Sequence, residues 1–371
     1  MKYFSYFSNL LKNLDKTLLL LPLLFAAISI VMIASTSFKG EFVFSRPVRI
    51  QTLSYGLGFV ALFVVLFIDY HAYIAREKLL YAASLIALLS VYLPGIGWTE
   101  MGSTRWINLG ITTFQPSEIV KIALVVLLAI YLSRNQHTLG TVKGAACAFL
   151  YAAPFILIVL KEDLGSAIGM GVIWITMVFY AGLSYKLCAW FAAAVVLFVP
   201  LSYRFLGETQ RNRIDAFLNP NNLSLPGNYH VWQSKIAIGS GGLFGKGLFA
   251  GTQKELDFLP VQRSDFIFSV IVEELGFVGG LAVILLYVVF LYRLVKIARN
   301  AKDTYGALIA VGFIGMFLFQ VFENIAMTMG LMPVTGITLP FISYGGSSVL
   351  SCMIAVGLVL NVGIRSKTIN F

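Results

Sequence analysis

Charge is scarce in this chain. Asp, Glu, Lys and Arg make up only 12% of its 371 residues against 58% hydrophobic ones, and the mean hydropathy is +0.85. A soluble surface calls for about 25% charged residues, so two or three water-soluble domains are excluded and the solvent is a bilayer. Cysteine and histidine are scarce too, at three each. Cys147, Cys188 and Cys352 all sit inside apolar runs, which indicates packing and not a disulfide frame. His71, His137 and His230 lie far apart and no Cys/His cluster has ligand spacing, so no metal site built by the protein is expected. A cleavable leader is not expected either, because the run Thr17 to Ser35 is long enough to span and lacks a small-x-small site after it.

What is present is a series of apolar segments, each roughly 17 to 25 residues as a spanning helix requires. The expected spans are ten: 17–36, 52–69, 79–95, 117–133, 144–160, 166–183, 187–205, 265–292, 306–329 and 347–364. The fold class is therefore an all-α polytopic membrane protein, a single integral-membrane domain over 1–371 with a large extracytoplasmic loop at 206–264.

An even number of spans puts both termini on one side. One set of connections carries Lys2, Lys12, Lys16, Arg76, Lys78, Arg134, Lys143 and Lys186. It continues with the cluster Arg293, Lys296, Arg299 and Lys302, and with Arg365 and Lys367. The positive-inside rule places that set in the cytoplasm. The opposite side is also basic, since 206–264 holds Arg211, Arg213, Lys235, Lys246, Lys254 and Arg263. With a net charge of +10, such a surface suits an anionic partner at the outer leaflet, and no nucleic acid.

The stretch Tyr229 to Phe277 is the densest in unusual features, with seven glycines, several amines and Asp265 between apolar runs. Its part Ile236 to Gly251 is too broken for a further span and too apolar for water, so an interfacial or re-entrant segment is expected. The glycines admit two readings: exposed amides that cradle a phosphate, or tight turns and close packing. Asp265 likewise admits two, an N-cap at a helix start and a carboxylate that works on substrate. Glu273 and Glu274 follow roughly 12–14 Å deeper along that helix, where a charge needs a partner. Two carboxylates so far apart do not form a glycosidase pair.

Other polar motifs collect at the same level. Gln115-Pro116-Ser117-Glu118 is a helix start, in which Glu118 and Lys121 are spaced to pair with each other or to face a polar cavity with Arg105. Lys161-Glu162-Asp163 joins two spans, and the segment 340–348, which contains Ser343, precedes the last one. Gln320, Glu323 and Asn324 lie inside the ninth. Polar connections distant in sequence that meet at one membrane face describe a site.

Taken together, GlySerThrArgTrpIleAsnLeuGly at 102–110 with PheGlnProSerGlu, AspLeuGlySer at 163–166, GlnSerLysIleAlaIleGlySerGlyGlyLeuPheGlyLysGly at 233–247, SerAspPheIlePheSer with GluGluLeuGly, and LeuProPheIleSerTyrGlyGlySerSer resemble the SEDS family of shape, elongation, division and sporulation proteins. The 233–247 motif is closer to the elongation branch (RodA-like) than to the division branch (FtsW-like). The resemblance implies a ten-helix inner-membrane peptidoglycan glycosyltransferase that polymerises lipid II at the outer face beside a class B penicillin-binding protein. It implies that Asp265 is the catalytic base and that Arg105, Trp106, Glu118, Lys121 and Asp163 belong to an outer cavity. The chain departs from the family's Pro-Glu-x-His-Thr-Asp form, having Val261-Gln262-Arg263-Ser264 ahead of Asp265.

The chemistry of such a transfer is consistent with these residues. Inversion at an α-linked lipid diphosphate needs one base for the attacking hydroxyl and no protein acid for a leaving group that departs as a stabilised anion. Arg105, Lys121, Arg211, Arg213, Lys235 and Lys246 are candidates to offset the diphosphate charge, alone or with a divalent cation such as Mg or Mn. The alternative is a flippase for lipid-linked sugar, motivated by the number of spans and by Glu273, Glu274 and Glu323; a third reading is a non-catalytic scaffold.

Overall fold

The computed structural model describes residues 14–38, 44–100, 103–108, 110, 113–187, 189–190, 193, 203–255, 258–259 and 261–366. In chain order the helices are α1 (Lys16–Ser35), α2 (Arg46–Phe67), α3 (Glu77–Leu89), α4 (Pro116–Arg134), α5 (Val142–Glu162) and α6 (Leu164–Tyr180). After these come α7 (Glu208–Leu218), α8 (Asn228–Ser240), α9 (Thr252–Glu255), α10 (Ile267–Arg299), α11 (Thr304–Thr328) and α12 (Gly346–Ser366). Seven of them, α1, α2, α4, α5, α10, α11 and α12, are long and apolar enough to cross a membrane, and α6 is a shorter apolar helix.

Side-chain caps start several of these helices. Asp15 accepts from Leu18 N at 3.0 Å, Thr141 from Gly144 N at 3.1 Å, and Asp303 from Gly306 N at 2.7 Å. Pro22 in α1 and Pro154 in α5 are carried inside the helices, as neighbouring spans permit. Burial sorts the bundle into layers: α4, α11 and α12 are enclosed along most of their length, whereas α2 and α10 leave most of their apolar side chains outward. At the centre Phe25, Phe290, Phe317 and Phe341 pack ring on ring. This rigid middle fixes the connections at its ends.

Two of the expected spans, 79–95 and 187–205, have no matching long helix among the described residues. The segment 79–95 yields only the 13-residue α3 and a 3₁₀ turn at Ser90–Tyr92. Gly97 then packs so tightly on the Val91 carbonyl that an added Cβ would lie 1.9 Å from its oxygen. The span 187–205 falls mostly outside the described residues, as do Lys2, Lys12 and Lys367.

The helical polytopic fold holds as expected, with one small addition. Residues read as a plain connection form a three-stranded antiparallel sheet: β1 (Gly97–Glu100), β2 (Ser103–Asn108) and β3 (Thr113–Phe114), in the order β1-β2-β3. Trp98, Thr99, Thr104, Trp106 and Ile107 favour a pleated, half-buried surface, which explains the outcome. Within the connection 206–264, α7, α8 and α9 occupy much of the described chain.

Candidate functional site

The glycine-rich stretch builds the support beneath Asp265. Helix α10 is broken at Gly276, whose φ of 69° and ψ of −170° are accessible essentially to glycine alone. The freed backbone groups find partners in the 242–247 turn. Lys246 N and Gly247 N donate to the carbonyls of Glu273 and Glu274, both at 3.0 Å, while Phe277 N and Val278 N donate to Gly242 O and Leu243 O at 2.9 and 3.2 Å. A Cβ on Gly245 would lie 2.1 Å from Glu274 O. Of the two readings of the glycines, these contacts realise close packing; the amides of Lys246 and Gly247 are spent on helix carbonyls.

The two glutamates find their counter-charges in the same stretch. Glu273 takes the Lys246 ammonium at 2.7 Å and Gln253 N at 2.9 Å. Glu274 pairs with the fully enclosed Lys254 and accepts from Ser35 at 2.5 Å. Lys246, expected on a diphosphate, is thus engaged at the helix break and does not line the cavities at Asp265.

Asp265 precedes α10 and does not cap it. The N-cap position is Phe266, with no side-chain cap bond, so the N-cap reading of Asp265 or Ser264 does not hold. The segment is held instead by its own backbone. Ser264 N and Asp265 N both donate to Val261 O at 3.2 Å, with Val261 itself at a φ of 57°, a costly conformation for a β-branched residue. From the other side Asn324 donates to Asp265 O at 3.0 Å and to Ile337 O at 2.7 Å. Ser343 donates to Ser264 O at 2.5 Å and accepts from Leu339 N at 2.8 Å, and Tyr344 N donates to Arg263 O at 2.8 Å. Ser343 is buried and acts here as a clamp on the backbone beside Asp265, away from the cavity walls.

On one side of Asp265 opens a cavity of about 250 Å³, lined by Arg105, Trp106, Glu118, Lys121 and Asp163 among others. Strand β2 explains how Arg105 arrives there. Ser103 donates to the Glu162 carbonyl at 3.2 Å and Thr104 N to the Glu162 carboxylate at 2.9 Å, which brings Arg105 Nη1 to Asp163 Oδ2 at 2.9 Å. The guanidinium also lies 4.3 Å from the ring centre of Trp106. Asp163 caps α6 through Ser166 N at 3.0 Å and accepts from Gln115 Nε2 at 3.2 Å. Burial alone would raise its pKa, but Arg105 and the Ser166 bonds outweigh it and hold the carboxyl below its ordinary range. Lys121 and Glu118 pair at 2.8 Å, both buried, so mutual pairing and a place on the cavity wall are both realised.

Asp265 itself is shifted the other way. Enclosure by protein pushes its carboxyl above the ordinary carboxylate range, and the nearby Asp163 adds to this; Ser264, Arg105 and Arg213 only partly oppose it.

A second cavity of about 370 Å³ lies on the far side of the same carboxylate, between α7, α8 and the link after α11. Arg213, His230, Lys235, Val261 and Asp265 are on its wall. Arg211, one helix position away from the inner face, is not: it donates to Arg204 O and lies 5.7 Å from the Tyr203 ring centre. Sequence reasoning missed His230 here, having weighed histidine only as a metal ligand. It also missed Thr335, whose carbonyl accepts from Arg213 at 2.8 Å.

With the geometry in hand, comparison with known proteins places the chain. The family model FTSW_RODA_SPOVE, described as cell cycle protein, matches residues 15–368. The chain belongs to this family. It is 37% identical over 368 residues to stage V sporulation protein E of Bacillus subtilis, covering 95% of this chain and 98% of that one. It is 36% identical over 359 residues to peptidoglycan glycosyltransferase MrdB of Escherichia coli K12, covering 96% and 95%. Among solved structures, a chain of a peptidoglycan synthase complex superposes with a TM-score of 0.80 at 29% identity, over 95% of this chain and 98% of that one. The rod shape determining protein RodA of Thermus thermophilus superposes with a TM-score of 0.70 at 29% identity, over 94% and 96%. The family's polytopic membrane fold is therefore the fold of this chain.

Proposed function

We propose that this family member is a peptidoglycan glycosyltransferase that polymerises lipid II into β-1,4-linked glycan at the outer face of the bacterial cytoplasmic membrane, with both termini in the cytoplasm. The observation that carries the mechanism is the position of Asp265, the one carboxylate among the described residues that is common to the walls of both cavities. A transfer between two bulky lipid-linked sugars needs a base at a junction of two binding spaces, and a base with a raised pKa is suited to take a proton near neutral pH. Asp265 accepts the proton of the attacking sugar hydroxyl; the oxygen attacks the anomeric carbon from the face opposite the diphosphate, and configuration inverts. Arg105 and Arg213, on either side, keep the carboxylate ionised before attack and temper the charge that develops. A partner of the class B penicillin-binding type agrees with the likeness to a peptidoglycan synthase complex, and the RodA likeness favours a role in elongation and cell shape.

Among the described residues no three His, Cys, Asp or Glu side chains come together with metal-ligand spacing. A divalent cation such as Mg or Mn would therefore arrive with the diphosphate, whose charge it would help to offset.

The test is polymerisation of lipid II by the purified chain, alone and with a class B penicillin-binding protein. Asp265→Asn should lower the rate by about 10²–10⁴-fold, the span of a lost general base, while the protein stays folded and bound to its partner. Full activity in that variant would refute the base. Flipping of lipid-linked sugar without polymerisation would favour the transporter reading.

A further inference from the structure

The link between α11 and α12 carries irregular backbone into the bundle. Phe341 lies at a φ of 66° among the rings of Phe25, Phe290 and Phe317, and Leu339 and Ile342 are buried beside it. Where no water reaches, each N–H and C=O freed by the irregularity needs a partner from a neighbouring helix. Tyr55 of α2 and Tyr287 of α10 donate to the carbonyls of Phe341 and Pro340, and Ser29 of α1 donates to Ile342 O at 2.8 Å. One further side chain takes hold of two residues at once. Gln51 of α2, fully enclosed, donates through Nε2 to Ser343 O at 3.1 Å and to Ser29 Oγ at 2.9 Å, and its Oε1 accepts from Gly345 N at 3.2 Å.

Gln51 thus grips the backbone on both sides of Tyr344. The same short piece of chain reaches the other way: Ser343 Oγ donates to Ser264 O at 2.5 Å and Tyr344 N to Arg263 O at 2.8 Å. A path of hydrogen bonds therefore runs from α2, through Ser343 and Tyr344, to the two residues that precede Asp265. An amide suits the start of that path. A carboxylate has no hydrogen for the Ser343 carbonyl, and an ammonium has no lone pair for the Gly345 N–H. Helix α2 itself contributes no side chain to the two cavities at Asp265, so the path is its connection to them.

Resting on the glycosyltransferase reading, we infer that Gln51 is a positioning residue for Asp265: by holding Ser343 and Gly345 it fixes the backbone from which the carboxylate is presented. A base must stand within hydrogen-bond reach of the hydroxyl it serves, and a misplacement of about 1 Å can cost on the order of 10²-fold in rate. The residues ahead of Asp265 form no helical turn that would fix them, since α10 begins only at Ile267, and Val261 holds an unfavourable φ of 57°. Their place is set from outside, by Asn324 on one side and by the path from Gln51 on the other.

Gln51→Met keeps the length of the side chain and removes its amide. Its control is Asn361→Leu. Asn361 of α12 donates to the carbonyls of Val65 at 2.7 Å and Leu66 at 3.1 Å, the same chemistry at the other end of α2, about 20 Å away at 1.5 Å per residue. Both variants of the purified full chain should have a lower Tm. Gln51→Met alone should lower kcat for lipid II polymerisation about 10²-fold with KM within about threefold, and should speed hydrogen–deuterium exchange in the segment 261–266. Its acid limb should move to lower pH, because Asp265 loses part of the enclosure that raises its carboxyl. Adding Ser343→Ala should slow it no further, since both changes cut one path. Ser29→Ala, a smaller lesion in the same network, should lower kcat between about two- and tenfold, and it reads the path even where Gln51→Met does not fold. Equal effects of Gln51→Met and Asn361→Leu on kcat and exchange, or losses that multiply in the double variant, overturn the assignment while wild-type polymerisation keeps the broader reading intact. Faster exchange at 261–266 in a protein whose wild type never polymerises lipid II overturns the role in catalysis together with that reading.

Discussion

The hydroxyl of Thr335 donates to Glu323 Oε1 at 2.7 Å, and through this bond a carboxylate within α11 holds the segment that lies against Asp265. The same Thr335 receives Arg213 on its carbonyl, and the next residue, Gly336, is close enough that a Cβ would sit 3.5 Å from Asp265 Oδ2. Glu323 is therefore a positioning residue for both charged partners of the reaction. Glu323→Val leaves the Thr335 hydroxyl buried without its acceptor, which costs about 1–3 kcal/mol, and it should lower both Tm and polymerisation rate. Glu323→Gln keeps an acceptor oxygen and should restore most of each. Equal Tm and rate in the Val variant would show that α11 does not hold the site.

The raised pKa of Asp265 sets the acid side of the rate profile. A base works only when deprotonated, so kcat/KM should fall as pH drops through a pKa above the ordinary carboxylate range. The shift arises first from burial, and Arg105 and Arg213 oppose it by favouring the anion. Removing the guanidinium in Arg213→Gln should therefore move the acid limb to higher pH, beyond any change in binding. The profile of kcat/KM for lipid II polymerisation checks both; a limb that stays within the ordinary carboxylate range, or moves down in the variant, contradicts the assignment.

Much of this arrangement could be read from the sequence where local rules decide it. Glu118 and Lys121 are spaced to pair on a helix, and they do; most of the long apolar runs became helices, six of them with both ends within three residues of those expected. Reading failed where tertiary contacts overrule local signals. Ser264 and Asp265 look like a helix cap, yet Asn324 and Ser343, from the segment 324–343, hold their backbone instead. Lys246 looks like a phosphate ligand only while Glu273 is imagined on the far side of a straight helix. The break at Gly276 brings the two together, and no local pattern announces it. The sheet was hidden because its strands are short and sit between apolar spans.

Lys254 and Glu274 form an enclosed pair that ties the short α9 to the broken helix, with Ser35 of α1 as third member. Removing one partner leaves a buried charge alone. Lys254→Met should cost about 3–5 kcal/mol, whereas the double change Lys254→Met, Glu274→Leu should regain most of it. Thermal unfolding of the three proteins in the same detergent reads the difference. A double variant no more stable than the single one would mean that the pair holds α9 by geometry and not by charge balance.

The break in α10 is the last test, because it can be addressed without touching any charge. Gly276→Ala meets two obstacles at once: a backbone conformation that costs about 1–3 kcal/mol for a residue with a Cβ, and the Cβ itself, which would lie 2.3 Å from Gly245 N and 2.4 Å from Leu243 O. Relief requires the 242–247 turn to move away from α10, which would break the bonds of Lys246 N and Gly247 N to the helix. Because α8 leads directly into that turn, the displacement should reach Lys235 as well. The variant should unfold at lower temperature and polymerise lipid II more slowly, while the Arg105–Asp163 pair, on the other side of Asp265, keeps its place. An unchanged polymerisation rate in the Gly276→Ala variant would show that the turn and the second cavity are mechanically independent.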